Sequence, residues 1–336
     1  QRHLTIPCEM CIRDSVWVGE IPERILSADP VEGFFATANN LQTPRDFVYP
    51  MPGGHDPYRV TRITDVLAAD GSVTLSDMQA LQLDQQSVLA VRLLPILAQA
   101  TPQTPEGQAM QARLAAWDGV ARADAVEPTL FAYWTRAIGE KLYADELGGA
   151  LFARFQGPRD VFIDGVLTGT LSSQWCDDIA ATGVVETCAG IAGAAFDTAA
   201  AALASERGSA ESGWTWGDVH AARFAHPVLS RLPFIGDDFV VLTPFGGNST
   251  TVNVARNWHE RPAYNTVHAA GLRMIIDFSD LDGSLFVMAP GQSGHPRSAH
   301  FRDLAALWGS GEYFQIRSDW TAANPPEGAS ILVLNP

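Results

Sequence analysis

The stretch Leu272-Arg-Met-Ile-Ile-Asp-Phe278, followed after Asp282-Gly283 by Ser284-Leu-Phe-Val-Met288, decides the fold class. Two extended apolar runs on either side of an Asp-Gly pair predict a β-hairpin, because Asp-Gly suits a two-residue turn. The residues from 236 to 336 are therefore predicted to be β-rich. Further extended runs are predicted at 239–243, 250–255 and 331–334.

A mainly helical region is predicted before this segment, over residues 64–235. Thr74-Leu-Ser-Asp77 has the form of a capping box, and Thr104-Pro105 is typical of a helix start. Residues 15–63, rich in Gly, Pro, Asn and Asp, are predicted to be loop and short strand. Helices between extended segments predict a mixed α+β fold with a helical insertion. Individual helices are predicted over 89–97, 128–147, 164–175 and 189–207.

The composition of the 336-residue chain excludes several classes of partner. Its formal net charge of −16 argues against nucleic acid, because phosphate binding needs clustered Lys and Arg. The most Ala-rich stretch, 189–204, is interrupted by Asp197 and is predicted to be a buried helix instead of a membrane span. We therefore expect neither a nucleic acid nor a membrane as partner.

The four cysteines form two pairs. Cys8 and Cys11 make a C-x-x-C, which in other settings indicates a redox pair or half a zinc site. No second C-x-x-C accompanies it, and residues 1–14 resemble translated adaptor sequence, so we treat them as foreign or disordered. Cys176 and Cys188 are the candidate disulfide, worth about 3 kcal/mol if oxidised. Two buried free thiols are the alternative.

A search for catalytic motifs finds no nucleophile and no metal cage. Gly291-Gln-Ser-Gly294 falls one residue short of a nucleophile elbow and follows a hairpin strand. The pairs His220 with His226 and His295 with His300 lack the one-turn spacing of metal ligands on a helix, so we interpret these histidines as satisfied or solvent-facing.

Two polar side chains are candidates for a site. Asn39, in Gly33-Phe-Phe-Ala-Thr-Ala-Asn39-Asn40, is either a turn residue or a fixed donor to an oxyanion. Arg59, in Tyr58-Arg59-Val-Thr-Arg62, is either a surface residue at a helix start or a group that organises the same site.

A collinear set of motifs resembles the penicillin acylase family. The resemblance extends from about Val16 to Tyr313, which makes it far more specific than any single motif. The motifs are Trp17-Val-Gly19-Glu-Ile-Pro22, Pro30-Val-Glu-Gly33 through Asn40, Tyr58 through Ile63, Trp216-Gly-Asp-Val-His220, Thr251-Val-Asn253, Gly271 through Asp277, Pro290 through Asp303 and Trp308-Gly-Ser-Gly311-Glu-Tyr313.

The resemblance implies an N-terminal-nucleophile hydrolase with a four-layer αββα core. It implies an acyl-enzyme on a Ser released by self-cleavage of a precursor, with Asn39 in the oxyanion hole and Arg59 beside it. It further implies a small-molecule amide substrate, such as a penicillin, a cephalosporin or an N-acyl homoserine lactone, and a periplasmic or secreted location. No cofactor is required; calcium is a feature of many members, and Asp46 is the weak candidate ligand here.

The family's nucleophile has no counterpart in this sequence. We therefore expect the chain to be the C-terminal part of a β chain, with the rest of that β chain and the α chain as partners, and to be inactive alone. Two alternatives stay open: a non-catalytic relative acting as a binding or scaffold module, and a redox or zinc protein centred on Cys8 and Cys11.

Overall fold

The structure, a computed structural model, describes residues 28–44, 47, 56–69, 71–152, 154, 159–179, 183, 185–257, 264–317 and 320–321. The helices are α1 (Tyr58–Ala69), α2 (Leu75–Gln82), α3 (Val88–Leu97), α4 (Pro105–Ala115), α5 (Glu127–Phe152), α6 (Asp160–Leu167), α7 (Cys188–Arg207), α8 (Trp216–Val219) and α9 (Ala305–Gly309). The strands are β1 (Ala221–Ala225), β2 (Val240–Pro244), β3 (Ala255–Asn257), β4 (Thr266–Ala269), β5 (Leu272–Ile275), β6 (Leu285–Met288) and β7 (Phe314–Gln315). Cys8, Cys11, Asp46 and the strand predicted at 331–334 lie outside the described residues.

The larger core is helical and centres on α7, which packs against α4 and α5. Its small residues allow close approach: a Cβ on Gly193 would meet the backbone of Thr101 at 2.7 Å. Trp134 of α5 is fully buried and donates its indole N–H to the Ala192 carbonyl at 3.2 Å. In the described part of the chain α7 is the one helix long and apolar enough to cross a membrane. Its buried face confirms that it is a core helix.

The strands form two sheets. One has the order β2-β1-β4-β3, with β1 parallel to β4 and the other neighbours antiparallel; the other is an antiparallel sheet of order β5-β6-β7. Trp308 of α9 joins the two, because its ring packs edge-on against Phe224 of β1 at 5.4 Å and its carbonyl accepts from the guanidinium of Arg273 of β5. Helices and sheets together make the fold α+β, as predicted.

Local signals in the sequence place several helix starts correctly. The Thr74 side chain accepts from the Asp77 N–H while the Asp77 carboxylate accepts from the Thr74 N–H, which confirms the capping box. Thr104 likewise accepts from the Gly107 N–H at 3.0 Å before Pro105 begins α4. The helices predicted at 89–97, 128–147 and 189–207 are confirmed as α3, α5 and α7.

Three predictions of secondary structure were wrong in detail. The helix predicted at 164–175 starts at Asp160 and ends at Leu167, because Gly169 takes a left-handed conformation and the Leu171 N–H closes on the Gly165 carbonyl. The hairpin of β5 and β6 is present, but nine residues, 276–284, connect its strands in place of a two-residue turn. The first strand, β1, lies before residue 236, inside the region predicted to be mainly helical.

The strand predicted at 250–255 is a compact loop, and only Ala255 belongs to a strand. Side chains bond the backbone here in place of a neighbouring strand: Asn248 Oδ1 accepts from the Thr250 N–H, and Thr251 Oγ1 accepts from the Asn248 N–H, both at 2.9 Å. Such local bonds compete with the ladder of a sheet, which explains why β-branched residues mislead the prediction.

Cys176 and Cys188 form a disulfide, with their Cα atoms 5.0 Å apart. It links the 3-10 turn Ser173–Cys176 to the first residue of α7. The structure thus joins the two cysteines that the sequence pairs.

We predict that replacing both cysteines, Cys176→Ser with Cys188→Ser, lowers the free energy of unfolding of the full-length protein by about 3 kcal/mol, since the bridge restricts the unfolded chain. Urea unfolding with and without a reductant measures this. Reductant should destabilise the parent protein and leave the double variant unchanged. An equal response of both proteins to reductant would contradict the assignment.

Candidate active site

A polar cavity of about 340 Å³ lies where α1, α5, α6, α8 and the loop before β3 meet. Its apolar wall includes Leu89, Phe131 and Trp216. Most of the remaining lining is charged or carries an amide or hydroxyl group, which suits a small polar ligand better than a purely apolar one. The polar residues of the lining include Asn39, Asp56, Arg59, Asp160, Asn248 and Ser249.

Asn39 reaches the cavity from a tight turn. Its φ of 62° is left-handed, a conformation that Asn tolerates better than most residues. The turn is fixed by the Ala38 N–H, which donates to Asn40 Oδ1 at 3.0 Å. The sequence analysis gave a turn residue and a site residue as alternatives for Asn39. In the structure Asn39 both lies in a turn and lines the cavity.

Arg59 is the second residue of α1, and its Nη2 donates to Asn39 Oδ1 at 2.7 Å. Because a guanidinium has only donors, this bond requires the carboxamide oxygen of Asn39 to face Arg59. The carboxamide N–H₂ is the donor end of the side chain, and this bond turns it away from Arg59. Partial burial lowers the pKa of Arg59, while the nearby Asp56 carboxylate opposes that shift.

A buried carboxylate holds the start of α1. Asp164 of α6 accepts from the Tyr58 hydroxyl at 3.1 Å and from Arg92 Nε of α3 at 3.0 Å. Burial, together with this carboxylate, raises the pKa of Tyr58, so the phenol stays protonated and remains a donor. Since Arg59 follows Tyr58 directly, the network positions the guanidinium that contacts Asn39.

The opposite wall comes from α6 and from the loop before β3. Ser249 Oγ donates to Asp160 Oδ2 at 2.5 Å, across 89 residues of sequence. Burial raises the pKa of Asp160, with Asp56 acting in the same direction, while Ser249 and Arg256 oppose the shift. Sequence analysis missed Asp160 and Ser249, because neither belongs to a motif with a chemical signature and only folding brings them together.

The histidines that were considered as metal ligands have other partners. His220 is fully buried, with its two ring nitrogens 3.2 and 3.0 Å from the Phe245 and Ala255 carbonyls, which confirms it as a satisfied core residue. His226 contacts the Gly294 carbonyl at 3.2 Å, and His300 pairs with Asp303 at 2.8 Å. Over the described ranges no group of three or more His, Cys, Asp or Glu side chains is arranged to hold a metal ion.

Comparisons with known proteins give a consistent result. A family model described as penicillin amidase matches residues 15–324. The chain is 28% identical to acyl-homoserine lactone acylase QuiP of Pseudomonas syringae pv. syringae, over 92% of this chain and 40% of that protein. It is 29% identical to penicillin acylase 2 proenzyme of Pseudomonas sp. strain SE83, over 87% of this chain and 38% of that protein. The chain thus spans about two fifths of the length of these relatives.

A solved structure shares the fold. The chain superposes on penicillin G acylase from Alcaligenes faecalis with a TM-score of 0.53 and 17% sequence identity. The match covers 91% of this chain and 58% of the other. At this identity the likeness concerns the fold alone, and it agrees with the mixed α+β architecture described above.

We predict that Tyr58→Phe lowers the free energy of unfolding by about 2 kcal/mol, because the buried Asp164 carboxylate loses a donor. Tyr313→Phe is the matched control, since its hydroxyl donates at 2.9 Å to the neutral Gln82 carboxamide in a partly buried position. We expect a smaller loss there, about 1 kcal/mol. Urea unfolding of both variants tests the difference, and an equal or larger effect at Tyr313 would show that Asp164 does not depend on Tyr58.

Proposed function

Because this chain belongs to the penicillin amidase family, we propose that it is part of an acylase that hydrolyses linear amide bonds. The names of its relatives support two substrate classes, N-acyl homoserine lactones and penicillin-type amides. Both contain a secondary amide between an acyl group and a polar amine. The polar cavity beside Asn39 suits the amine side of either class.

The hydrogen bond from Arg59 to Asn39 is the observation that supports a catalytic role. This bond engages the carboxamide oxygen of Asn39 and thereby fixes the direction in which its N–H₂ group can donate. A donor held before the reaction stabilises negative charge without reorganising during it. We assign Asn39 to the oxyanion hole and Arg59 to the orientation of Asn39.

The reaction we propose uses a Ser at the N-terminus of the β chain, upstream of the residues present here. Its hydroxyl adds to the amide carbonyl while its own α-amine takes the proton. The tetrahedral oxyanion accepts from Asn39 and from a backbone N–H of the upstream segment. Collapse releases the amine, which takes up the proton, and leaves an acyl-enzyme ester that water hydrolyses to the acid.

The upstream segment and an α chain from the same precursor are the proposed partners of this chain. One relative is named a proenzyme, which supports processing of a precursor. We propose that these parts complete a four-layer αββα core and that the mature protein is periplasmic or secreted. We assign no calcium ligand, since Asp46 lies outside the described residues and no metal-binding group is found within them.

We predict that Asn39→Ala in the full-length protein lowers kcat for an amide substrate at least about a hundredfold, as expected for the loss of one oxyanion donor. Turnover of an N-acyl homoserine lactone and of a penicillin measures the effect. Near-parental turnover of both substrates would refute the role of Asn39.

Asn39→Gly is the control for backbone strain. An alanine at a φ of 62° costs folding energy that glycine does not, so the two variants should differ in stability. They should lose turnover equally if the missing donor is the cause. Recovery of activity in the glycine variant alone would instead assign the loss to strain.

We also predict that this 336-residue chain shows no acylase activity by itself, because the proposed nucleophile belongs to another segment. The full-length precursor, expressed in parallel and assayed with the same amide, should be active. Amide hydrolysis by the isolated chain would show that the nucleophile has been misplaced. An inactive precursor without a Ser at a cleavage junction would favour a non-catalytic relative.

A further inference from the structure

The motif Trp216-Gly-Asp-Val-His220 forms α8 and its C-cap and has no role in the chemistry proposed above. Trp216 is the first residue of this short helix, His220 is its C-cap, and their rings stack with centroids 4.1 Å apart. Both side chains are almost completely buried. Gly217 allows α8 to lie close to Ala123, because a Cβ on Gly217 would lie only 3.0 Å from the Ala123 carbonyl oxygen.

The rings of Trp216 and His220 contact the loop of residues 246–254 and its two flanking residues. We call this loop the wall loop. His220 Nδ1 lies 3.2 Å from the carbonyl of Phe245, directly before the loop, and Nε2 lies 3.0 Å from the carbonyl of Ala255, directly after it. Trp216 Nε1 donates to the Gly247 carbonyl at 2.8 Å. One imidazole therefore lies between the two ends of the loop, with one ring nitrogen facing the carbonyl at each end.

The wall loop carries polar groups into the cavity. Asn248, Ser249 and Thr250 all line it, and Ser249 donates to Asp160 across the cavity wall. The loop is closed internally by the Ala255 N–H, which donates to the Asn248 carbonyl at 3.0 Å. The position of its ends therefore determines the position of Ser249 relative to Asp160.

The contact requires a side chain with a polar N–H. Burial lowers the pKa of His220 to about 4, so the ring is neutral near pH 7 and its single N–H donates to one of the two carbonyls. A phenylalanine at this position would leave that carbonyl without its donor inside the core, whereas a glutamine retains a carboxamide N–H₂. These two replacements therefore separate the shape of the side chain from its hydrogen bonds.

We propose that His220 is a positioning residue, which packs between the two ends of the wall loop, donates to one of them and thereby holds Ser249 against Asp160 in the substrate cavity. The proposal rests on the proposed function in one respect, namely that this cavity binds the amide substrate. His220 touches neither Asn39 nor Arg59 in any described contact, so it acts on substrate binding through the loop.

Steady-state kinetics of the full-length protein test this inference. For His220→Phe we expect KM to rise about tenfold, the size expected when a buried carbonyl loses its donor, with kcat changed less than about threefold. Acyl-enzyme burst titration gives the concentration of active protein from which kcat is calculated, and KM does not depend on that concentration. His220→Gln should recover at least half of the loss, and His226→Phe, at a histidine that does not line the cavity, should keep the parental KM.

A double-mutant cycle tests whether His220 acts through Ser249. Ser249→Ala should raise KM by a similar factor, and adding His220→Gln or His220→Phe to Ser249→Ala should raise KM no further. Multiplicative effects, or a parental KM in His220→Phe, would overturn the proposal. If His220→Phe does not fold, the cycle with His220→Gln gives the same decision.

Hydrogen exchange separates this inference from the proposed function. The amides of Gly247 and Asn253 donate to the carbonyls of Ala121 and Asp84, and should be protected in the parent protein. His220→Phe should increase their exchange at least tenfold, and His226→Phe should not. An inactive parent protein would refute the proposed acylase function. Unchanged hydrogen exchange in His220→Phe would refute the positioning role of His220.

Discussion

The buried carboxylate of Asp164 is the constraint on which the candidate site depends. It joins three helices, because it sits on α6 and accepts from Tyr58 of α1 and Arg92 of α3. Removing either donor leaves the buried carboxylate with too few hydrogen-bond partners. The desolvation of its charge is then poorly compensated, and the folded state loses stability. The start of α1 is fixed as a result, and with it the guanidinium of Arg59 and the carboxamide of Asn39.

The two sides of the cavity are held by similar means. On one side a guanidinium orients an amide; on the other a serine hydroxyl binds the partly buried Asp160, and His220 lies between the two ends of the loop that carries the serine. Asn39 is thus oriented by Arg59, and Ser249 is held by Asp160 and by the contacts of its loop. Such preorganisation is what a site needs in order to stabilise charge that develops only in the transition state.

The sequence predicts most of the helices because their signals are local. Thr74 with Asp77 and Thr104 with Pro105 mark helix starts within four residues, and the disulfide follows from two suitably placed cysteines. The resemblance singled out Asn39 and Arg59 as candidate site residues. Without it, the local sequence would have left them as a turn residue and a surface residue. Their contact across 20 residues of sequence required the structure.

The remaining features depend on contacts that no local pattern encodes. Ser249 meets Asp160 across 89 residues, and the side chains of Asn248 and Thr251 fold a β-branched run into a loop. Gly169 ends α6 through a left-handed turn inside a run that is otherwise compatible with a longer helix. In each case a side chain or a glycine overrides the average preference of its segment.

A crystal structure of the full-length protein with a tetrahedral phosphonate adduct would decide whether Asn39 is the oxyanion donor. We expect Nδ2 of Asn39 to lie about 3 Å from the phosphonate oxygen that mimics the oxyanion. We also expect Oδ1 of Asn39 still to accept from Arg59. An Asn39 carboxamide turned away from that oxygen, or an adduct bound outside this cavity, would rule out this role.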